Sequence, residues 1–365
     1  MRSFILALAA ASVQASRYAN DFKSGKLENI MKSTTSNGIA IEVTVDGEKQ
    51  TKYVASDACS ADGATYKCPE NGRGYIMNSE TLDTTSPDYW TVNLAGATVE
   101  YDVDLSGHGC GCFNTFYTVS MPAKNEGGAF DISDGYFYCD AGMGFPAHCP
   151  EFDIMEANQY AFATTPHKCD APNGNGHYYN CDGSGAAANS VDNGLSYGPG
   201  GGHQIDTTQP FHVKLEIHAS NGSVSGATTT MSQNGRTQSM SNWNGGYLSQ
   251  MSSALTKQVF VVSNWQGPDW WLTKNTCGGS CQGNPTQTIS NITISQGTGP
   301  SPPDPSDYNP SDYNFGDPCA AVDNCHMSCP SVNHCKWSWP KNESWDSPNA
   351  DCRCDVVGAH NPFTQ

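Results

Sequence analysis

Residues 149–158 read Cys149-Pro150-Glu151-Phe152-Asp153-Ile154-Met155-Glu156-Ala157-Asn158, three acids within six residues set among apolar ones. On a regular strand Glu151 and Asp153 share a face, because side chains alternate with a period of two. Glu156 has the opposite parity. It joins them only if an extra residue near Ile154 or Met155 bulges the strand and re-aims the chain, a device common beside active sites. The same period recurs outward from this stretch. Val99, Tyr101, Val103 and Leu105 alternate with Glu100, Asp102 and Asp104, and Phe211, Val213, Leu215 and Ile217 alternate with His212, Lys214 and Glu216. These are half-buried strands. Helical periodicity is scarce and Gly and Asn punctuate often, so the expected fold is all-β, a two-sheet sandwich with long loops.

The 365-residue chain begins Met1-Arg2-Ser3, continues with the apolar run from Phe4 to Val13, and reaches Val13-Gln14-Ala15 before turning polar. Residues 1–15 therefore read as a secretory signal peptide, and the run is far short of the ~20 residues a membrane span needs. An extracellular protein without a membrane association is expected. Sixteen cysteines suit an oxidising compartment and read as disulfides. The close pairs Cys110-Gly111-Cys112 and Cys352-Arg353-Cys354 leave metal binding as the rival, although zinc spacings with matched histidines are not evident. The sequons at Asn221, Asn291 and Asn342 are compatible with glycosylation.

A main domain is expected over 16–297 and a Pro/Ser/Asp-rich linker over 298–317, where the unit Pro-Ser-Asp-Tyr-Asn occurs twice. Residues 318–365 form a Cys-rich module with six cysteines and Trp337, Trp339 and Trp345. So small a piece needs disulfide staples. Its indoles either bind carbohydrate or make its own minimal core.

The net charge of −18, with only 18 Lys and Arg, excludes nucleic acid as a partner, since phosphate-backbone affinity rests on cations. Neutral polymers remain. Three clustered acids suit glycoside hydrolysis, because retaining glycosidases hold two carboxyls about 5 to 5.5 Å apart, one as nucleophile and one as acid and then base. Like charges that close separate in pKa, which keeps one protonated for the leaving oxygen. A solvated acidic edge or a calcium loop explains the same residues, and a calcium-binding lectin stays open on this reading.

The segment EFDIMEAN closely resembles the EMDIWEAN signature of glycoside hydrolase family 7, the cellulases and cellobiohydrolases of a β-jelly-roll clan. Other segments resemble that family in the same order: Val99 to Met121, Thr165-Pro166-His167 before Cys169, Tyr197-Gly198-Pro199-Gly200, Asp206-Thr207-Thr208, Val261 to Trp265, Trp270-Trp271-Leu272 and Ser290-Asn291-Ile292. The resemblance implies a β-jelly-roll sandwich, with Glu151 as nucleophile, Asp153 as its supporting acid and Glu156 as general acid/base. It places His167 near the cleft and makes Trp265 and Trp271 sugar platforms, for which core packing is the alternative. Tyr117 is a further cleft candidate. Two departures stand out: Met155 replaces the signature Trp, and Trp265 is followed by Gln266-Gly267 where the family has paired acids.

The expected function is a secreted retaining endo-β-1,4-glucanase acting as a monomer on cellulose or a similar β-glucan, with no cofactor or metal. The shortened domain and the absence of arginine from Tyr197 to Gln209 favour an open groove and endo action, since exo-acting relatives grip product with arginines. The alternatives are a cellobiohydrolase, a retaining hydrolase or transglycosylase on mixed-linkage or β-1,3-glucan, and a catalytically silent glucan-binding cell-wall protein.

Overall fold

A computed structural model describes residues 38–83, 85–131, 136–142, 147–242 and 244–296, and the backbone of 335–338 and 353–356. The signal-peptide segment, the linker and most of the Cys-rich module lie outside the described residues. The chain divides into two units, 1–302 and 303–365. In the second, Cys335–Ser338 pairs antiparallel with Arg353–Val356.

The first unit is a β-sandwich. Its strands are β1 (Ile39–Val45), β2 (Glu48–Ala55), β3 (Ser60–Asp62), β4 (Thr65–Cys68), β5 (Gly72–Met77), β6 (Thr91–Val92), β7 (Thr98–Asp104), β8 (Cys112–Val119), β9 (Glu151–Ala157), β10 (Phe162–His167), β11 (Ala188–Asn189), β12 (Tyr197–Gly198), β13 (Ile205–Asp206), β14 (Phe211–Ser220), β15 (Ser223–Gln233), β16 (Arg236–Asn242), β17 (Gln258–Gln266) and β18 (Gln287–Ser295). Thirteen of them follow one path, β11-β10-β9-β8-β17-β5-β2-β1-β18-β7-β14-β15-β16. The path folds back on itself: Thr164 of β10 and Thr229 of β15, near its opposite ends, bring their hydroxyls to 2.8 Å.

Between the facing layers lies one core, which takes Phe116, Phe152, Ile154, Phe162, Phe260 and Val262 from the β8–β10 and β17 side and Val99, Tyr101, Val213, Leu215 and Met231 from the other. Each large apolar side chain withdrawn from water contributes about 1.5–3 kcal/mol. β7 and β14 alternate buried and half-buried positions, as their sequence period requires. β8 is buried at all eight positions, because a second apolar cluster, including Tyr75, Tyr117, Phe137, Tyr138 and Val261, covers part of its other face.

Asp46-Gly47, Asn221-Gly222 and Asn234-Gly235 occupy the two-residue turns of the β1–β2, β14–β15 and β15–β16 hairpins, all six with positive φ. Asx-Gly pairs adopt that conformation at little cost, and its twist matches the strands on either side. Ten cysteines pair as Cys59–Cys68, Cys110–Cys277, Cys112–Cys281, Cys139–Cys149 and Cys169–Cys181. The Cys110/Cys112 pair is thus structural. The side chains of the six tail cysteines lie outside the described residues.

Candidate active site

The bulge expected from parity is present in β9. Across β8, Met155 faces Phe116 and Asp153 faces Tyr117, so one residue of β9, Ile154, has no counterpart. Across β10, Glu156 faces Ala163 and Asp153 faces Thr165, again with an extra residue on β9. Ile154 and Met155 both enter the core, and Glu156 returns to the face of Glu151 and Asp153.

The strand registers then build the site in rows on the face turned away from the sandwich core. Glu151 lies between Val119 and His167, Asp153 between Tyr117 and Thr165, and Glu156 between Thr115 and Ala163. One row further, Phe113 of β8 pairs with Trp265 of β17. Short hydrogen bonds fix each acid. Glu151 Oε2 accepts the Ala141 N–H at 2.9 Å, Glu156 Oε2 accepts the Thr165 hydroxyl at 2.9 Å, and Asp153 Oδ2 lies 2.8 Å from His167 Nε2. The other ring nitrogen of His167, Nδ1, donates to the Asp182 carbonyl at 2.8 Å. Glu151 and Asp153 are hydrogen-bonded to each other.

Burial pushes all three carboxyls above their usual range, because the charged form loses hydration. For Glu151 the charges of Asp153 and Asp140 push further up, while His167 and the Ala141 N–H offset part of the rise. Asp153 is raised by burial, Glu156 and Asp140, and a hydrogen bond from Glu151 favours its ionised form. Glu156 is raised by burial and drawn back by His167 and the Thr165 hydroxyl. Glu156 therefore lies outside the Glu151–Asp153 hydrogen bond and has a hydroxyl donor of its own. Two glutamates in different surroundings on one face are what paired acid–base and nucleophilic chemistry requires. Donor atoms of Glu151, Asp153 and His167 lie within 4.8 Å of one another, close enough to share an ion, but their mutual hydrogen bonds already engage them.

The remaining expected residues divide. His167 joins the acids directly. Tyr117 is in the Asp153 row, 3% exposed, and its hydroxyl bonds that of Tyr138 at 2.8 Å. Trp265 and Trp271 are half-buried and both lie nearly parallel to Phe113, with centroids at 4.0 and 5.4 Å. They form an apolar wall with Ala161, Ala163 and Leu272 at the Glu156 end. Trp270, by contrast, is 58% exposed.

Several contributors were not singled out from the sequence. Thr165 was visible in principle, two residues from His167 and so on its face. Tyr138, Asp140 and Arg73 were not: Asp140 accepts the Tyr138 hydroxyl at 2.7 Å and the Arg73 guanidinium lies 4.1 Å from the Tyr138 ring centre, contacts with no local signature. Asp269 supplies a buried acid near the place where the paired acids after Trp265 are missing. It accepts Gly111 N–H at 2.8 Å and the Asn158 side chain at 3.2 Å, pinning the end of the acidic segment to the short helix α1 (Trp270–Thr273).

The fold and site together define a β-jelly-roll sandwich with a carboxylate row on the outer face of one layer. Residues 139–266, which span β9, β10 and β17, match the model of glycosyl hydrolase family 7. Endoglucanase EG-1 of Trichoderma longibrachiatum is 28% identical, with 65% of this chain and 59% of the relative aligned. Endo-beta-1,4-glucanase celB of Emericella nidulans is 29% identical over 54% of this chain and 58% of its own length. The chain thus spans under two thirds of the length of these curated relatives. Among solved structures, the Humicola insolens endocellulase EGI superimposes with a TM-score of 0.57 at 17% identity over 71% of this chain and 96% of that one. A family 7 cellobiohydrolase from Daphnia pulex gives 0.53 at 19% identity over 72% and 98%.

Proposed function

We propose that the protein is a secreted retaining endo-β-1,4-glucanase that hydrolyses cellulose or a similar β-glucan. The observation that carries the reading is the bulged β9, which sets Glu151, Asp153 and Glu156 in successive rows of one face and gives each different partners. Glu156, held by Thr165, protonates the glycosidic oxygen as that bond breaks, while a Glu151 oxygen bonds to the anomeric carbon. Glu156, now ionised, takes a proton from water, and the water oxygen displaces Glu151 and releases the sugar with its original anomeric configuration. Asp153, held by His167, orients Glu151 and takes up its share of proton as charge moves. The half-buried indoles of Trp265 and Trp271, backed by the fully buried Phe113, offer an apolar surface to a glucose ring at the Glu156 end. Endo action is supported by the endoglucanase names of the aligned relatives and by the arginine-free stretch from Tyr197 to Gln209.

The test is viscosity loss and reducing-sugar release from carboxymethyl-cellulose, with the anomer of the product followed by proton NMR. A fast viscosity drop, a β product and loss of both in Glu151→Gln support the proposal. An inverted product sinks the double-displacement step. No activity on cellulosic, mixed-linkage or β-1,3-glucan leaves a silent glucan-binding protein.

A further inference from the structure

Asp140 is 6% exposed and held from both sides, yet the proposed reaction gives it no part. Its Oδ2 accepts the Tyr138 hydroxyl at 2.7 Å. Because Tyr138 donates there, the Tyr117 hydroxyl, 2.8 Å away, donates to Tyr138. Asp140 Oδ1 accepts the Gly142 N–H at 2.8 Å, which closes a turn over Asp140-Ala141-Gly142 in the manner by which Asp side chains fold the backbone two residues on. The intervening amide, Ala141 N–H, donates to Glu151 Oε2 at 2.9 Å. Consecutive amides of one turn therefore hold two different carboxylates. The turn is tied to the entrance of β9 twice more, by Cys149 N–H donating to the Asp140 carbonyl at 3.0 Å and by the Cys139–Cys149 disulfide.

We infer that Asp140 is a positioning residue for the nucleophile: by closing this turn beneath the Tyr117–Tyr138 pair it aims the Ala141 N–H at Glu151 Oε2 and fixes the direction of the attacking carboxylate. The inference deepens the proposed mechanism and rests on it. A side-chain amide closes the same turn without charge, so the turn and the charge of Asp140 are separable. The charge acts in a crowded field. Glu151 faces Asp153 on its own strand, His167 on β10 and Asp140 on the turn, while Asp140 faces Arg73 on β5, Tyr117 on β8, Tyr138 and His148. Burial raises the Asp140 carboxyl, and Arg73, the Tyr138 hydroxyl, the Gly142 N–H and His148 oppose that rise.

The experiment compares wild type, Asp140→Ala, Asp140→Asn and Glu156→Gln on carboxymethyl-cellulose and on an aryl β-cellobioside whose dinitrophenolate leaving group departs without a proton. Melting temperatures are recorded alongside. Asp140→Ala is expected to lose about 10²-fold in kcat on both substrates, since a displaced nucleophile slows attack whatever the leaving group, with KM within about twofold. Glu156→Gln, in contrast, keeps attack on the activated substrate far better than on the polymer. Asp140→Asn retains an acceptor for Gly142 N–H and is expected to recover at least about tenfold of the loss. Its acid limb of kcat/KM moves to lower pH, because one negative neighbour of Glu151 is gone.

An Asp140→Ala protein within about threefold of wild type, or one impaired on the polymer alone, overturns the inference while leaving the mechanism intact. If Asp140→Ala does not fold, Asp140→Asn decides: an unmoved acid limb, or activity no better than about 10²-fold below wild type, overturns it. A wild-type protein inactive on both substrates overturns the mechanism and the inference with it.

Discussion

His167 Nε2 lies 2.8 Å from Asp153 Oδ2, and both side chains are about nine-tenths buried, at 10% and 7% exposure. Because Nδ1 donates to the Asp182 carbonyl, Nε2 carries a proton only when the ring is cationic. Either an imidazolium donates to the carboxylate or a neutral ring accepts from the protonated acid. Asp153 can thus exchange a proton with the ring on one side and with Glu151 on the other without rearrangement. His167→Ala leaves that buried acid without its partner and is expected to lower kcat by about 10²-fold with little change in KM. Steady-state kinetics on a soluble cellulosic polymer check it, and a pure KM effect contradicts it.

Thr165→Val removes the hydroxyl that donates to Glu156. A donor to the ionised form lowers a carboxyl pKa, so its loss raises that of Glu156. A hydrogen bond to a charged group contributes about 1.5–3 kcal/mol, enough for the upward shift to be read in a pH profile. With Glu156 as the acid, the basic limb of kcat/KM moves to higher pH. A profile in which only the acid limb moves places the essential acid elsewhere.

Glu151→Gln is expected to stabilise the fold at neutral pH. The folded-state pKa of Glu151 is raised by burial, Asp153 and Asp140, so its stabilising contribution is complete below its unfolded value, near 4.3, and is lost as pH rises through the raised folded value. The amide removes that loss. Its melting temperature at pH 7 should exceed that of wild type by about 2–4 °C, with the difference vanishing near pH 4. A destabilised variant at pH 7 means the site holds its charge without strain.

Trp265→Ala is expected to lower both stability and substrate affinity, because the indole stacks on Phe113 at 4.0 Å and borders the Glu156 row. Fully buried Trp→Ala changes cost about 3–5 kcal/mol, and this half-buried ring should cost about 2 kcal/mol. Trp270→Ala, at the 58% exposed neighbour, should leave the melting temperature unchanged. Thermal melts paired with KM separate the two roles: a fall in melting temperature at unchanged KM makes Trp265 a packing residue alone.

Much of the fold was legible in local pattern. Period-two alternation in Val99–Leu105 and Phe211–Ile217 marks strands with one wet face, and β7 and β14 have one. The opposite parity of Glu156 required a bulge, and Ile154 supplies it. The same pattern misleads for β8, where Phe113, Thr115 and Tyr117 are as buried as their neighbours, since nothing local says that a loop and a second apolar cluster will cover the outer face. Trp271 showed in the sequence as an aromatic, but its stacking on Phe113 depends on a helix more than 150 residues further along the chain.

The sequence by itself determined the class of fold, the pairing chemistry of the cysteines in the described domain and the three acids on one strand, because each follows from residue type and from spacing within a few positions. The tertiary structure alone decided which partner tunes which acid. His167 and Thr165 reach Asp153 and Glu156 only through the β9–β10 register, Ala141 reaches Glu151 from the turn tied to the entrance of β9, and Arg73, Tyr138 and Asp140 meet only because β5 lies two strands from β8 in the folded-back sheet. Such contacts are set by register, burial and the path of the whole chain, and side-chain order along the sequence carries no trace of them.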